Sequence, residues 1–119
     1  MPKIEAFKFG CIIIDGNKHR RDVLLFPDGT VCERKRGFWR FGSHSIKKEE
    51  VEELIEAGPD IFVFGKGVYS RAKLSSDAAR YLKESKTELI ILPSRKAVQK
   101  WNELSEKGKR AAALIHITC

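Results

Sequence analysis

Three short apolar runs in the second half of the chain, separated by stretches of helical spacing, constrain the fold more than any other feature. Ile61-Phe62-Val63-Phe64, Glu88-Leu89-Ile90-Ile91-Leu92 and Ala111 to Ile117 are near-continuous runs, the pattern of strands buried on both faces. Ser75 or Ser76 is a competent cap for a helix with Ala78, Ala79 and Leu82 inward. Ser94 caps a second, with Ala97, Val98, Trp101 and Leu104 on one face, and Gly108 closes it. Strand–helix–strand–helix–strand with such runs requires parallel pairing through right-handed crossovers.

The first third reads differently. Ile4 to Phe9 is a strand, and Cys11-Ile12-Ile13-Ile14 is a short β-branched strand followed by the hairpin signal Asp15-Gly16. Asp22 to Phe26 is expected as the return strand. Pro27-Asp28-Gly29 turns the chain again into Thr30 to Arg34. A helix is expected from Ser45 as cap, with Val51, Leu54 and Ile55 inward and Gly58-Pro59 as its stop. The expected architecture is a single α/β domain over residues 1–119. A mixed central sheet carries helices on its faces, and an antiparallel β-meander stands at the N-terminal side.

Composition narrows the class. Of 119 residues, 42% are apolar, enough for one core without staples. Charged residues make up 33%, and no apolar run approaches the about 18 residues of a membrane span. Met1-Pro2-Lys3-Ile4-Glu5 has no signal-peptide character, so a cytoplasmic protein without membrane association is expected. The three cysteines, Cys11, Cys32 and Cys119, form no C-x-x-C pair, which suits a reducing compartment and argues against a disulfide framework or zinc. Cys11 and Cys32 are expected to be buried strand residues. Asn17, Asn102 and Gln99 are the only amide side chains, a hyperthermophile-like balance beside abundant Lys, Arg and Glu.

No complete catalytic constellation is present. His19, His44 and His116 are far apart without ligands at i+3 or i+4, so no metal is expected. Gly65-Lys66-Gly67-Val68-Tyr69-Ser70 lacks the third glycine of a dinucleotide fingerprint, and no cofactor is implied. Ser70-Arg71-Ala72-Lys73 matches S-x-x-K, but the companion motifs are absent and the chain is too short for that fold. Cys119 as a nucleophile would need His116 as its base, and i, i+3 on a strand point to opposite faces.

Two surfaces are candidates for binding. In open α/β sheets ligands lie beyond the C-terminal ends of parallel strands. Here those ends are Gly65-Lys66-Gly67, Pro93-Ser94 and His116-Ile117-Thr118-Cys119. Gly65 and Gly67 would let backbone amides approach a small anion, and Lys66 would add charge. Ser94 would supply a helix N-terminus, and His116 and Thr118 donors. The competing reading makes the glycines turn residues, Ser94 a simple cap and the α-carboxylate of Cys119 the partner of Lys66. The second surface is the loop Arg34 to Phe41, where Phe38, Trp39, Arg40 and Phe41 are residues that protein interfaces favour. Core packing of those aromatics, or stacking on single-stranded nucleic acid, are its alternatives, and nucleic acid ranks last because no recognition motif accompanies it.

In order, the landmarks are Phe9-Gly10, Ile14-Asp15-Gly16, Asp22-Val23, Pro27-Asp28-Gly29, Gly42, His44, Pro59-Asp60, Gly65, Gly67, Tyr81-Leu82, Leu92-Pro93, Asn102-Glu103-Leu104, Gly108-Lys109-Arg110 and His116-Ile117-Thr118-Cys119. This series resembles the Mth nine-three-eight domain family across essentially the whole chain. That family includes small archaeal and bacterial proteins, an animal adipogenesis-associated protein and a mitochondrial complex I assembly factor. The resemblance implies a three-layer α/β domain, no established reaction, and an assembly or adaptor role in one branch. The ending His-Ile-Thr-Cys is similar to the archaeal and animal non-mitochondrial branch, so a complex I role is not expected. A non-enzymatic interaction or assembly module is therefore the leading expectation. A small-anion site, and then nucleic-acid binding, are the alternatives.

Charge sharpens the choice of surface. Residues 1–60 hold 11 basic and 11 acidic side chains, whereas residues 61–119 hold 12 and 5 and so carry the entire +7. The excess lies in the βαβ half, which favours a basic face on the α/β core.

Overall fold

The computed structural model describes residues 1–35 and 45–119. The loop aromatics Phe38, Trp39 and Phe41, with Arg40 and His44, lie outside the described residues. The chain begins with a three-stranded antiparallel sheet: β1 (Ile4–Lys8), β2 (Cys11–Ile14) and β3 (Asn17–His19). Asp15 and Gly16 both have positive φ (49° and 81°), the two-residue turn that follows the strand twist. The expected return strand is thus corrected. The tight turn delivers the polar Asn17-Lys18-His19 as the partner of β2, and β4 (Val23–Leu25) leaves for another sheet.

That second sheet has five strands in the order β5-β4-β10-β7-β9. It contains β5 (Val31–Glu33), β7 (Ile61–Lys66), β9 (Glu88–Leu92) and β10 (Ala111–His116). β10 is parallel to β7 and β7 to β9, as expected, while β4 runs antiparallel to both β10 and β5. A two-stranded parallel pair, β6 (Ser45–Ile46) with β8 (Lys73–Leu74), stands apart. Ser45 is therefore a strand residue and not a cap. Helix α1 (Lys48–Glu56) starts after Lys47, whose backbone N–H donates to Glu50 Oε2 at 2.8 Å. Helix α2 (Ser76–Glu84) is capped by Ser75, whose Oγ accepts from the Ala78 N–H at 3.1 Å.

The layers follow from strand alternation. On one face of the five-stranded sheet, Val63, Ala111, Ala113 and Ile115 meet α3 (Ser94–Glu106) through Ala97, Trp101 and Leu104, and meet the small sheet through Ile4, Ile12 and Ile14. On the other, Phe62, Phe64, Ala112 and Leu114 meet α1 and α2 through Val51, Leu54, Ala78 and Leu82. Ala79 is exposed, because α2 is only partly enclosed.

Two strand expectations change. β9 is the outer strand of its sheet, not a buried one: Leu89 and Ile91 are 36% and 43% exposed. Cys11 is buried as expected, but Cys32, on the opposite outer strand β5, is exposed.

Candidate functional site at the strand ends

Because β10, β7 and β9 are neighbours, their C-terminal ends come together at one edge. Gly65, Lys66, Gly67, Ser94, His116 and Thr118 all lie at this end of the sheet, but on both of its faces. Val63 packs toward α3 and Phe64 toward α1, so alternation directs Gly65 toward α3. It directs Lys66, and its register partner His116, the other way.

On the α3 side the polar groups are bonded to one another. Ser94 is the first residue of its helix and not its cap. Its fully buried hydroxyl accepts the Gly67 N–H at 2.8 Å and donates to the His116 carbonyl at 2.5 Å. Ser94 N–H returns a bond to Gly67 O at 3.1 Å. Close approach depends on glycine here. A Cβ on Gly65 would stand 3.0 Å from Ser94 Oγ and 3.1 Å from both Ala97 and Ile115. A Cβ on Gly67, at φ +102°, would stand 2.3 Å from the Cys119 carbonyl carbon and oxygen. Beyond Gly67 the backbone donors are also taken: Val68 N–H by Thr118 O, and Tyr69 and Arg71 N–H by Cys119 O.

On the α1 side His116 opens a buried polar chain. Its Nδ1 lies 2.7 Å from Asp22 Oδ2 and its Nε2 3.2 Å from the half-buried Thr118 Oγ1. Asp22 Oδ1 accepts the Ile117 N–H at 3.0 Å. The Arg34 guanidinium joins Asp22 Oδ2 at 3.2 Å, Glu50 Oε2 at 3.1 Å and Ser45 O at 3.0 Å, and its Nε also donates to Glu50 Oε1. Asp22, Arg34, Glu50 and His116 are all buried. The network therefore ties β4, β5, α1 and β10 together by charge-assisted bonds. A cavity of about 210 Å³ borders it, floored by Leu24 and Phe26 and rimmed by Glu33, Lys35, Glu49 and Glu53.

Around this end the exposed side chains are aromatic and basic. Phe9 and Tyr69 are 49% and 67% exposed, with ring centroids 6.1 Å apart. Arg95 lies 5.8 Å from the Phe7 ring centroid, and Lys8 and Arg71 are exposed. Among the described residues no cluster of three metal-ligating side chains occurs, and no helix is long and apolar enough to cross a membrane.

The fold defines a three-layer α/β domain of the Mth938-like type, and solved structures share it over the full chain. The protein MT938 is 28% identical, with 100% of each chain covered and a TM-score of 0.81. The conserved hypothetical protein PH1505 from Pyrococcus horikoshii OT3 is 29% identical, covering 98% of this chain and 99% of that one, with a TM-score of 0.82. A Bordetella pertussis protein described as a Mth938-like domain shares the fold at 13% identity. There 98% of this chain and 85% of that one are covered, and the TM-score is 0.69. Residues 4–116 match the family model described as "Protein of unknown function (DUF498/DUF598)", and the chain belongs to that family.

Proposed function

We propose that the chain is a non-enzymatic interaction module that docks an acidic protein surface at the strand-end edge. One observation carries this reading. The backbone amides and the Ser94 hydroxyl that would hold a small anion are spent inside the chain, while the side chains around them are exposed. Gly67 N–H is held by Ser94, and Tyr69 and Arg71 N–H are held by Cys119. What faces outward is Phe9, Tyr69, Lys8, Arg71 and Arg95, an aromatic and basic set of the kind that concentrates binding energy at interfaces. The excess charge of residues 61–119 favours an acidic partner.

Affinity capture from a native lysate, comparing wild type with the Phe9→Ala, Tyr69→Ala double variant, tests the surface. The expected result is a partner retained by wild type and lost by the variant. Identical captured sets would overturn it.

A second reading, a small-anion ligand at the same edge, is favoured by Lys66 beside the Thr118–His116–Asp22 chain. It predicts a thermal shift with inorganic phosphate that Lys66→Ala removes. Nucleic-acid binding, the third, predicts a mobility shift that salt abolishes steeply.

A further inference from the structure

The outer edge of β9 combines two properties, unpaired backbone groups and exposed apolar side chains. Glu88 N–H donates to Asp60 O at 2.9 Å, on the β7 side. Since successive residues of a strand direct their backbone groups to opposite sides, Leu89 and Ile91 direct theirs away from β7. Among the described residues no strand pairs with that edge.

The side chains of the same two residues are the second property. Leu89 and Ile91 are in register with Phe62 and Phe64, so they extend the apolar face beneath α1 and α2 outward past the cover those helices provide. Beyond Glu88 the segment Leu89-Ile90-Ile91-Leu92 contains no charge, proline or bulge, the devices that normally blunt an exposed edge.

We propose that this edge pairs antiparallel with β9 of a second copy of the chain, joining two five-stranded sheets into one. The edge is self-complementary under a two-fold axis at Ile90. Leu89 then faces Ile91 of the second copy, and Ile91 its Leu89. Both residues of each facing pair present N–H and C=O groups, giving four backbone hydrogen bonds. The four apolar side chains form cross-strand pairs on one face. Pro93, which lacks an N–H, ends the pairing. Charge agrees with the antiparallel sense, which sets the two Glu88 carboxylates at opposite ends of the paired strands. A parallel arrangement would set Glu88 beside Glu88. The interface is isologous and closes at two copies, with no further β9 edge left over.

The test is sedimentation velocity over a concentration series, with amide hydrogen exchange on the same samples. Wild type is expected at twice the 13.6 kDa chain mass, with the Leu89 and Ile91 amides protected. Ile91→Lys changes a side chain that already reaches solvent. It should keep the wild-type circular dichroism and raise the dimer dissociation constant at least ~10-fold by placing lysine on both copies. In that variant the Leu89 amide should exchange freely. A monomeric wild type, a dimer whose Leu89 and Ile91 amides exchange freely, or an Ile91→Lys protein that folds and dimerises unchanged would each overturn the proposal. Should Ile91→Lys not fold, amide protection in wild type, measured above and below the dissociation concentration, decides.

Discussion

Ser94 Oγ lies 2.5 Å from the His116 carbonyl oxygen and 2.8 Å from the Gly67 backbone nitrogen, so one hydroxyl joins α3, the end of β7 and the end of β10. Ser94→Ala would leave a buried N–H and a buried C=O without this partner. A buried group left unsatisfied costs about 1–3 kcal/mol, and the expected loss of unfolding free energy is of that size. Urea denaturation measures it, and an unchanged midpoint would show that the hydroxyl holds nothing together.

Gly67 and Gly10 both have positive φ, yet alanine should affect them unequally. At Gly10 an added Cβ meets nothing within 4 Å, so only backbone strain of about 1–2 kcal/mol is expected. At Gly67 the same strain adds to a collision 2.3 Å from the Cys119 backbone. Gly67→Ala should therefore lower the melting temperature well beyond Gly10→Ala, and should free the Tyr69 and Arg71 amides to exchange. Equal melting temperatures would mean that residues 117–119 do not pack against the Gly67 turn as described.

Arg34 faces two buried carboxylates, Asp22 and Glu50. Breaking a buried ion pair from one side typically costs about 3–5 kcal/mol, because the remaining charge is stranded, and Arg34→Leu should fall in that range. Arg34→Lys should recover only part of the loss, since an ammonium cannot reproduce the forked contacts to Glu50 and Asp22. Equilibrium unfolding of the two variants ranks them, and equal stability would contradict the geometric role of the guanidinium.

The buried network also shows where sequence reading stops. The parallel strands and their helices follow from hydrophobic period and connection rules, whereas the adjacency of the strand ends at Gly67, Ser94 and Thr118 comes from the strand order β10-β7-β9. The burial of Asp22 and Arg34 does not, because a charged residue at the end of a short strand reads like any surface charge. Glu50 left one trace: it stands four residues before Leu54, on the inward face of α1. Ser94 was legible as a polar residue opening a helix. Its bonds were not, because they depend on how closely glycines 65 and 67 let α3 approach the sheet. The edge position of β9 was hidden for a related reason. Its composition is that of a buried strand, and only the order β10-β7-β9 leaves one side open.

Asn102 anchors the N-terminal sheet to α3 by acting as a strand neighbour: its Oδ1 accepts the Ile4 N–H at 3.0 Å and its Nδ2 donates to Ile4 O at 2.8 Å. Trp101 Nε1 adds a bond to Pro2 O at 2.8 Å. Asn102→Ala should speed exchange of the Ile4 amide selectively, leaving the amides of β7 and β10 protected. Uniform acceleration across both sheets would instead indicate one cooperative unit with no separate anchor.

Asp28 provides the acid-side prediction. It sits in the Pro27-Asp28-Gly29 turn, where its Oδ1 accepts the Thr30 N–H at 2.8 Å. That backbone bond, assisted by the Thr30 side chain, holds the Asp28 carboxyl below the ordinary aspartate range. A carboxyl whose pKa is lower in the folded state stabilises the fold above its unfolded pKa, and that contribution disappears as pH falls through the folded value. Carboxyl-detected NMR titration should therefore place the Asp28 midpoint below that of an unstructured aspartate. Thr30→Ala should raise the midpoint only in part, because the backbone donor persists. Complete recovery in Thr30→Ala would assign the shift to the hydroxyl and remove the backbone bond as its main cause.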